Sequence, residues 1–219
     1  MQLEAILFDL DGTLGDTLPV CYAAFRAALA EFTGVVYSDA EILAMFGPDE
    51  VGVIRQRVPE RWQACLERFY QVYDAVHAGY GAFPGLRSAL EMLRARGVRL
   101  GVVTGKGARS AAVSLRHFAL QDMFDAVEPG SPNGGIKPEA IARVLGRWGI
   151  APERAAYLGD LTYDIEAARE AGVLPLAAAW ASTADEARLR AHGPAAVFRT
   201  VDEFVAWIDE HESGRIGQD

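Results

Sequence analysis

Residues 5–14, Ala-Ile-Leu-Phe-Asp-Leu-Asp-Gly-Thr-Leu, are the stretch that decides the fold of this chain. An apolar run ends at Asp9 and Asp11, and Gly12 and Thr13 then break the extended chain. An apolar run bounded by a turn signal predicts a buried strand. The alternative is a hairpin turn at Asp11-Gly12, but the residues before Asp9 do not alternate as a half-exposed hairpin strand would.

The two carboxylates at the end of this strand favour a metal ion. Residues two apart on a strand point the same way, so Asp9 and Asp11 can meet one ligand. They would repel each other unless a cation lay between them, and Mg²⁺ takes carboxylate and carbonyl oxygens. Ligands of open α/β sheets bind at the carboxyl ends of the strands. The stretch therefore predicts a Mg²⁺ site at the end of the first strand.

Strand and helix patterns alternate through the rest of the chain, with one exception. Apolar strand patterns occur at 98–104, 125–127, 155–158, 175–180 and 197–198, and helical patterns lie between them. Residues 16–83 contain helical patterns alone, and Gly79 and Gly81 form an exit that can hinge. Alternation of this kind predicts a parallel sheet with helices on both faces. We therefore expect an α/β, doubly wound core made of residues 1–14 and 84–219, with a helical segment, 15–83, inserted.

Composition and charge narrow the classes of function. The chain has 219 residues, is 51% hydrophobic and carries a net charge of -9. A charge of that sign argues against a nucleic acid partner, because phosphate backbones need basic patches. No leader and no apolar run long enough for a membrane span is found, so we expect no membrane partner and a cytoplasmic location. Cys21 and Cys65 lie among apolar residues and are predicted to be buried thiols.

The stretch FDLDGTL resembles the first motif of the haloacid dehalogenase superfamily, in its phosphatase branch. Three further motifs of that family follow in order, at the ends of predicted strands: Thr104-Gly105, Lys137-Pro138 and Gly159-Asp160. The match covers the whole core, and the chain as a whole is similar to the phosphoglycolate phosphatase-like members of the family. The resemblance implies a Rossmann-like core and a mobile helical cap, which residues 15–83 resemble.

The resemblance assigns chemistry to the first two acids. Asp9 would be the nucleophile that forms an aspartyl-phosphate, and it would also bind the metal. Asp11 would protonate the leaving oxygen and then deprotonate the attacking water, while its backbone carbonyl binds Mg²⁺. A dehalogenase proper has no leaving alkoxide and lacks the second acid, so Asp11 favours phosphoryl chemistry.

The second motif would bind phosphate. The Thr104 hydroxyl and the backbone N–H groups from Gly105 onward can meet phosphate oxygens, helped by a helix N-terminus. An ordinary helix cap is the alternative for Thr104. Lys106 can contact substrate, or it can be a solvated lysine at a helix start.

Lys137 matches the third motif, where it would act in catalysis and phosphate binding by neutralising the nucleophile and the transferring phosphoryl group. A lysine at a helix start is mildly unfavourable with the helix dipole, so a nearby cluster of negative charge would explain it. Lys106 and Lys137 are the only lysines in the chain.

The fourth motif places two acids four residues apart after a strand. Asp160 would be a further Mg²⁺ anchor. Asp164, one helical turn on, would lie on the same side, and the resemblance allows it a water-mediated metal contact or the positioning of Lys137. The alternative for both acids is a simple preference for a helix N-terminus.

The inserted segment gives weaker signals. The loop 46–50 lies where the family presents a specificity loop. Arg55 and Arg57 follow it and can bind a substrate carboxylate or a second phosphate. Each one taken singly is better explained as a solvated arginine on a short helix.

The whole pattern predicts a Mg²⁺-dependent phosphatase that hydrolyses a small phosphorylated metabolite through an aspartyl-phosphate. One alternative is a sugar phosphomutase of the β-phosphoglucomutase type, which shares these motifs. Another is a catalytically silent phosphate-binding regulatory module. The sequence leaves the oligomeric state open between monomer and homodimer.

Overall fold

A computed structural model describes residues 3–213 of the chain. The first two and the last six residues, which the predicted core range includes, lie outside the described residues. Within 3–213, no helix combines the length and the apolar character that crossing a bilayer requires. Cys21 and Cys65 are both buried free thiols, as the sequence predicts.

Six parallel strands form one sheet in the order β3-β2-β1-β4-β5-β6. In chain order they are β1 (Ala5–Phe8), β2 (Arg99–Val103), β3 (Ala126–Glu128), β4 (Ala155–Gly159), β5 (Leu174–Ala178) and β6 (Ala196–Phe198). The first strand lies in the middle, where it pairs with β2 on one side and with β4 on the other. The predicted α/β, doubly wound fold is confirmed.

Within residues 3–213, ten α-helices accompany the sheet. They are α1 (Leu18–Thr33), α2 (Asp39–Leu43), α3 (Glu50–Arg57), α4 (Trp62–His77), α5 (Leu86–Ala95), α6 (Ala108–His117), α7 (Lys137–Trp148), α8 (Thr162–Glu170), α9 (Glu186–Ala191) and α10 (Val201–Ser213). A short 3-10 turn, Pro152–Arg154, precedes β4.

Both faces of the sheet are covered, which explains why β1 has no polar side. Ile6 and Phe8 point into one hydrophobic cluster, with residues of α5, α6 and α10. Leu7 points into the other, with residues of α7 and α8. Each fully buried side chain of this kind stabilises the fold by about 1.5–3 kcal/mol.

Helices α1–α4 share a further hydrophobic cluster, in which α1 packs against α4 and to which Val113 of α6 also contributes. We call residues 15–83 the helical insert. Phe25 and Phe69 meet in its centre with ring centroids 4.6 Å apart. The two connections to the core run side by side, because the Phe83 N–H donates to the Leu14 carbonyl at 3.0 Å.

Helix α6 begins at Ala108, two residues later than the sequence predicts. The Lys106 N–H donates to the Thr104 hydroxyl at 3.2 Å, and the Lys106 carbonyl accepts from the Gly130 N–H at 2.8 Å. Gly107 is the extended N-cap of the helix. Residues 104–107 therefore form a turn at the end of β2, which brings their polar groups beside the end of β1.

Candidate active site

Three of the predicted motifs meet at the carboxyl end of the sheet. Asp9 directly follows β1, and its N–H still donates to the Leu158 carbonyl at 2.9 Å, so the strand pairing holds it in place. Thr104 follows β2, and Asp160 follows β4. Because β1 lies between β2 and β4, these three side chains come from adjacent strand ends.

The turn after β1 requires a glycine. Gly12 has a φ of 77°, a conformation that side chains rarely adopt, and a Cβ there would collide with the Asp160 carboxylate. Beside it, the Thr13 hydroxyl donates to Asp160 Oδ1 at 3.3 Å. The Asp-Gly pair thus allows the first and fourth motifs to approach each other closely.

Asp9, Asp160 and Asp164 form a buried carboxylate cluster, in which one oxygen of each lies within 4.8 Å of the others. Burial raises the pKa of Asp9 to about 7, against the opposing effect of Lys137. Burial and the neighbouring carboxylates of Asp164 and Asp9 hold the pKa of Asp160 well above its usual range. A cluster of oxygen ligands with this concentration of negative charge fits a hard divalent cation such as Mg²⁺.

Lys137 is the positive charge of this cluster. Its Nζ lies 2.9 Å from Asp9 Oδ1 and 2.5 Å from Asp164 Oδ1. Burial lowers the pKa of Lys137, but Asp164 and Asp9 outweigh that effect and raise it well above its usual value. The other Asp164 oxygen accepts from the Leu161 N–H at 2.9 Å. Both Asp164 oxygens are therefore engaged, an arrangement that suits the positioning of Lys137.

Asp11 lies apart from the carboxylate cluster and faces the helical insert. Its carboxylate accepts a hydrogen bond from the Thr17 hydroxyl and lies 3.2 Å from Lys106 Nζ. An acid in this position is available to a leaving group that enters from the side of the insert. The arrangement agrees with the predicted division of labour, in which the backbone carbonyl of Asp11, and not its side chain, would serve a metal.

Lys106 is buried, so the prediction of a solvated lysine at a helix start is wrong. Its side chain is 5% exposed. The ammonium lies 3.0 Å from Cys21 Sγ and 4.6 Å from the ring centroid of Tyr73. The reason is the late start of α6, which turns Lys106 under the insert instead of out to solvent. Both lysines of the chain therefore reach the same site.

A cavity of about 190 Å³ lies between the carboxyl end of the sheet and the helical insert. Asp9, Asp11, Lys137 and Asp160 line it from the core, together with Thr104 and Gly105. The insert contributes an apolar wall. The apolar wall consists of Leu18, Cys21, Phe25, Phe46, Pro48 and Phe69.

Neither Arg55 nor Arg57 lines the cavity, so the structure agrees with the interpretation of each as a solvated arginine. Both side chains are exposed, and the Arg55 guanidinium lies 4.1 Å from the ring centroid of Trp62. Helix α3 turns them away from the site after Asp49 and Glu50, which do line it. Sequence reasoning missed Glu50. The sign that the sequence offered was the position of Glu50 in the loop 46–50, where the resemblance places a specificity loop.

Comparisons with known proteins agree with this geometry. Residues 6–178 match the model of the haloacid dehalogenase-like hydrolase family. A phosphoglycolate phosphatase of Cereibacter sphaeroides is 34% identical over 181 residues, which cover 78% of this chain and 83% of that protein. A phosphoglycolate phosphatase of Synechococcus elongatus is 28% identical over 180 residues, covering 81% of this chain and 84% of that protein.

A solved structure agrees as well. A haloacid dehalogenase-like family hydrolase from Streptococcus pneumoniae superposes with a TM-score of 0.75 at 27% identity, and the match covers 94% of this chain and 98% of that one. The four motifs had indicated the same family, and that prediction is confirmed. With the family model matching most of its length, the chain belongs to the haloacid dehalogenase-like hydrolases.

Proposed function

We propose that this protein is a Mg²⁺-dependent phosphatase that hydrolyses a small phosphorylated metabolite through an aspartyl-phosphate on Asp9. The observation that carries the proposal is the meeting of Asp9, Asp160, Lys137 and Thr104 at one end of the sheet, beside the cavity under the helical insert. The names of the two relatives, both phosphoglycolate phosphatases, support the reaction class.

In the first half of the proposed reaction, a carboxylate oxygen of Asp9 attacks the phosphorus. The bond between phosphorus and the leaving oxygen breaks, and that oxygen takes a proton from Asp11. Lys137 lies 2.9 Å from Asp9, where its charge balances the negative oxygens of the transferring group. The Thr104 hydroxyl and the Gly105 N–H hold phosphate oxygens.

In the second half, water attacks the phosphorus of the aspartyl-phosphate and gives a proton to Asp11. The bond from phosphorus to the Asp9 oxygen breaks, which frees inorganic phosphate and restores the carboxylate. The proton count closes, since Asp11 gives one proton in the first half and takes one in the second.

Asp9, Asp160 and the backbone carbonyl of Asp11 would hold the metal, with Asp164 positioning Lys137. When bound, Mg²⁺ would supply charge neutralisation between the nucleophile and the phosphate oxygens. The helical insert would act as the cap that encloses the substrate and excludes water. The cytoplasmic location predicted from the sequence stays a prediction.

Phosphate release from a panel of phosphorylated metabolites and aryl phosphates, with Mg²⁺ and with EDTA, tests the proposal. Release that needs Mg²⁺ and is lost in Asp9→Asn is the expected result. A sugar phosphomutase would instead interconvert sugar phosphates while releasing little phosphate. A regulatory module would bind phosphate with no turnover of any compound, and either result would overturn the proposal.

A further inference from the structure

Glu50 is a buried acid that the proposed chemistry does not use. It is the first residue of α3, in the helical insert, and it is 5% exposed. Its Oε2 accepts from the Gly107 N–H at 2.8 Å, and its Oε1 accepts from the Ser110 hydroxyl at 2.8 Å. Both partners belong to the core, at the start of α6. Glu50 therefore joins the two sides of the cavity through the carboxylate of a single side chain.

The core is shaped to receive this carboxylate. A Cβ at Gly107 would lie 2.5 Å from Glu50 Oε1, so any side chain there would displace it. The N-terminus of a helix carries partial positive charge and unpaired N–H groups, which a carboxylate satisfies. The Tyr70 hydroxyl, on α4, adds a third hydrogen bond to Oε1 at 3.3 Å. The contact therefore requires a carboxylate at position 50 and a residue without a side chain at position 107.

The position of Gly107 in the chain gives the contact its importance. It directly follows Lys106, whose ammonium meets Asp11 at 3.2 Å, and it ends the turn that begins at Thr104. Holding the Gly107 N–H therefore holds the end of the predicted phosphate-binding turn. One residue before Glu50, the Asp49 N–H donates to the Ser131 carbonyl at 2.9 Å, on the loop that leads to Lys137.

The exposed ion pairs between insert and core differ from this contact, whereas the buried hydrogen bonds of Tyr73 and His77 to Ser114 join α4 to α6 away from the cavity lining. Glu67 on α4 pairs with Arg109 on α6 at 2.6 Å, but both side chains are about half exposed. Exposed ion pairs of this type contribute little to stability. Glu50 combines burial, three hydrogen bonds and a place in the cavity lining, which Glu67 lacks.

We propose that Glu50 is a positioning residue that latches the helical insert over the cavity and fixes the 104–107 turn beside Asp11. The latch itself stands on geometry alone, whereas its effect on turnover rests on the proposed function. Loss of the Glu50 carboxylate should let the insert open and should loosen the pairing of Lys106 with Asp11.

Cys21 offers a direct readout of opening, because it lies in the cavity lining and is 4% exposed. Because the insert and the Lys106 ammonium cover its sulfur, a thiol reagent reacts slowly with Cys21 while the insert stays seated on the core. Cys65 lies in the hydrophobic cluster of the insert and reports unfolding of the insert itself. Labelling with iodoacetamide in a Cys65→Ser background follows Cys21, and labelling in a Cys21→Ser background follows Cys65.

We expect Glu50→Gln to speed the labelling of Cys21 by about tenfold or more, the factor that corresponds to losing one charge-assisted hydrogen bond. Cys65 should keep its rate. Gly107→Ala keeps the Glu50 side chain but places a methyl group where its carboxylate lies, so this variant should also speed the labelling of Cys21. Glu67→Gln should leave the labelling rate unchanged. An unchanged Cys21 rate in Glu50→Gln, or an equal rise at Cys65, would overturn the latch.

Turnover separates the latch from the proposed function. An alkyl phosphate needs a proton on its leaving oxygen, whereas p-nitrophenyl phosphate needs it far less. If Glu50 positions Asp11 through Lys106, Glu50→Gln should lower kcat for the alkyl ester several-fold more than for the aryl ester. Equal losses would contradict the positioning role. If the wild-type protein releases no phosphate while Cys21 labelling still responds, the proposed function fails and the latch stands.

Discussion

The two walls of the cavity are built on different principles. The core wall presents Asp9, Lys137 and Asp160, which are buried and charged and follow the ends of neighbouring strands or open a helix. The insert wall presents Leu18, Phe25 and other apolar side chains from packed helices, with the acids Asp49 and Glu50 at one edge. Sheet register fixes the first wall, and helix packing fixes the second. We infer that the sheet fixes the positions of the proposed reacting groups. The choice of substrate would then depend on the helical insert.

The two lysines that line the cavity both form ion pairs with carboxylates of the chain. Lys137 pairs with Asp9 and Asp164, and Lys106 pairs with Asp11. Among the described residues, the cavity lining contains no other lysine or arginine. We therefore expect the cavity to favour a leaving group without a second negative charge.

Asp9→Asn tests the core wall with the largest expected effect. The amide cannot attack phosphorus, so we expect kcat to fall by roughly 10⁴- to 10⁶-fold. Measurement uses p-nitrophenyl phosphate with Mg²⁺, and thermal unfolding serves as the control for folding. Residual activity within tenfold of the wild-type value would remove Asp9 from its proposed role.

Lys137→Met removes the charge that faces Asp9 and Asp164. We expect a loss of about 10²- to 10³-fold in kcat, since the transferring group loses its neutralising partner. Stability should also fall by about 3–5 kcal/mol, because two buried carboxylates lose their common cation. Urea unfolding measures the second effect. A kcat effect without any loss of stability would contradict the buried pairing.

Substrate preference tests the insert wall. We expect kcat/KM for phenyl phosphate to exceed that for phosphoglycolate by about tenfold or more, because the carboxylate of phosphoglycolate would find no free cation there. Steady-state kinetics on the two compounds at equal Mg²⁺ gives the ratio. A preference for phosphoglycolate would show that Lys106 leaves Asp11 to bind substrate, and a Lys106→Met variant would then lose that preference.

Phe46→Ala tests one side chain of the same wall. Phe46 lies at its rim, 36% exposed, with its ring 6.0 Å from that of Phe25. Removing it should lower kcat/KM for phenyl phosphate by about tenfold and leave small alkyl phosphates nearly unchanged. Leu43→Ala is the matched control, since Leu43 is 51% exposed and does not line the cavity. Equal losses on both substrates would indicate a structural role.

The smallest effect concerns His77, at the end of α4, where the insert contacts the core. His77 is fully buried, and its Nε2 lies 3.0 Å from the Ser114 hydroxyl of α6. Burial lowers the pKa of His77 from 6.5, and the neighbouring His117 adds to this. The unfolded chain thus binds more protons, so stability is highest above pH 6.5 and falls as the pH drops below it.

We expect His77→Gln to flatten this fall. Urea unfolding at pH 7.5 and pH 5.5 gives the slope for each protein. His192→Gln, at a half-buried surface site, should keep the wild-type slope. Identical slopes for His77→Gln and wild type would mean that other groups carry the acid sensitivity.

The same contrast explains what the sequence can predict. Asp9 and Asp160 follow buried strands, and parallel strands bring such ends together, so their meeting follows from local patterns. Arg55 is a cation close to the 46–50 loop in sequence, but only the packing of α3 decides that its guanidinium lies over Trp62. Lys106 and Glu50 meet their partners across the boundary of insert and core, a contact between distant parts of the chain that no local pattern encodes.

The central place of β1 has a consequence for how the chain acquires its fold. Ala5 pairs with Arg99 on one side and with Ala155 on the other, so both partners lie beyond the insert in sequence. Such non-local pairings have high contact order and form slowly. During synthesis, the strand that carries Asp9 emerges before both β2 and β4 and waits as an apolar segment, while α1 and α4 can already pack against each other. Asp9, the proposed nucleophile, therefore reaches its final position only after β2 and β4 have been made.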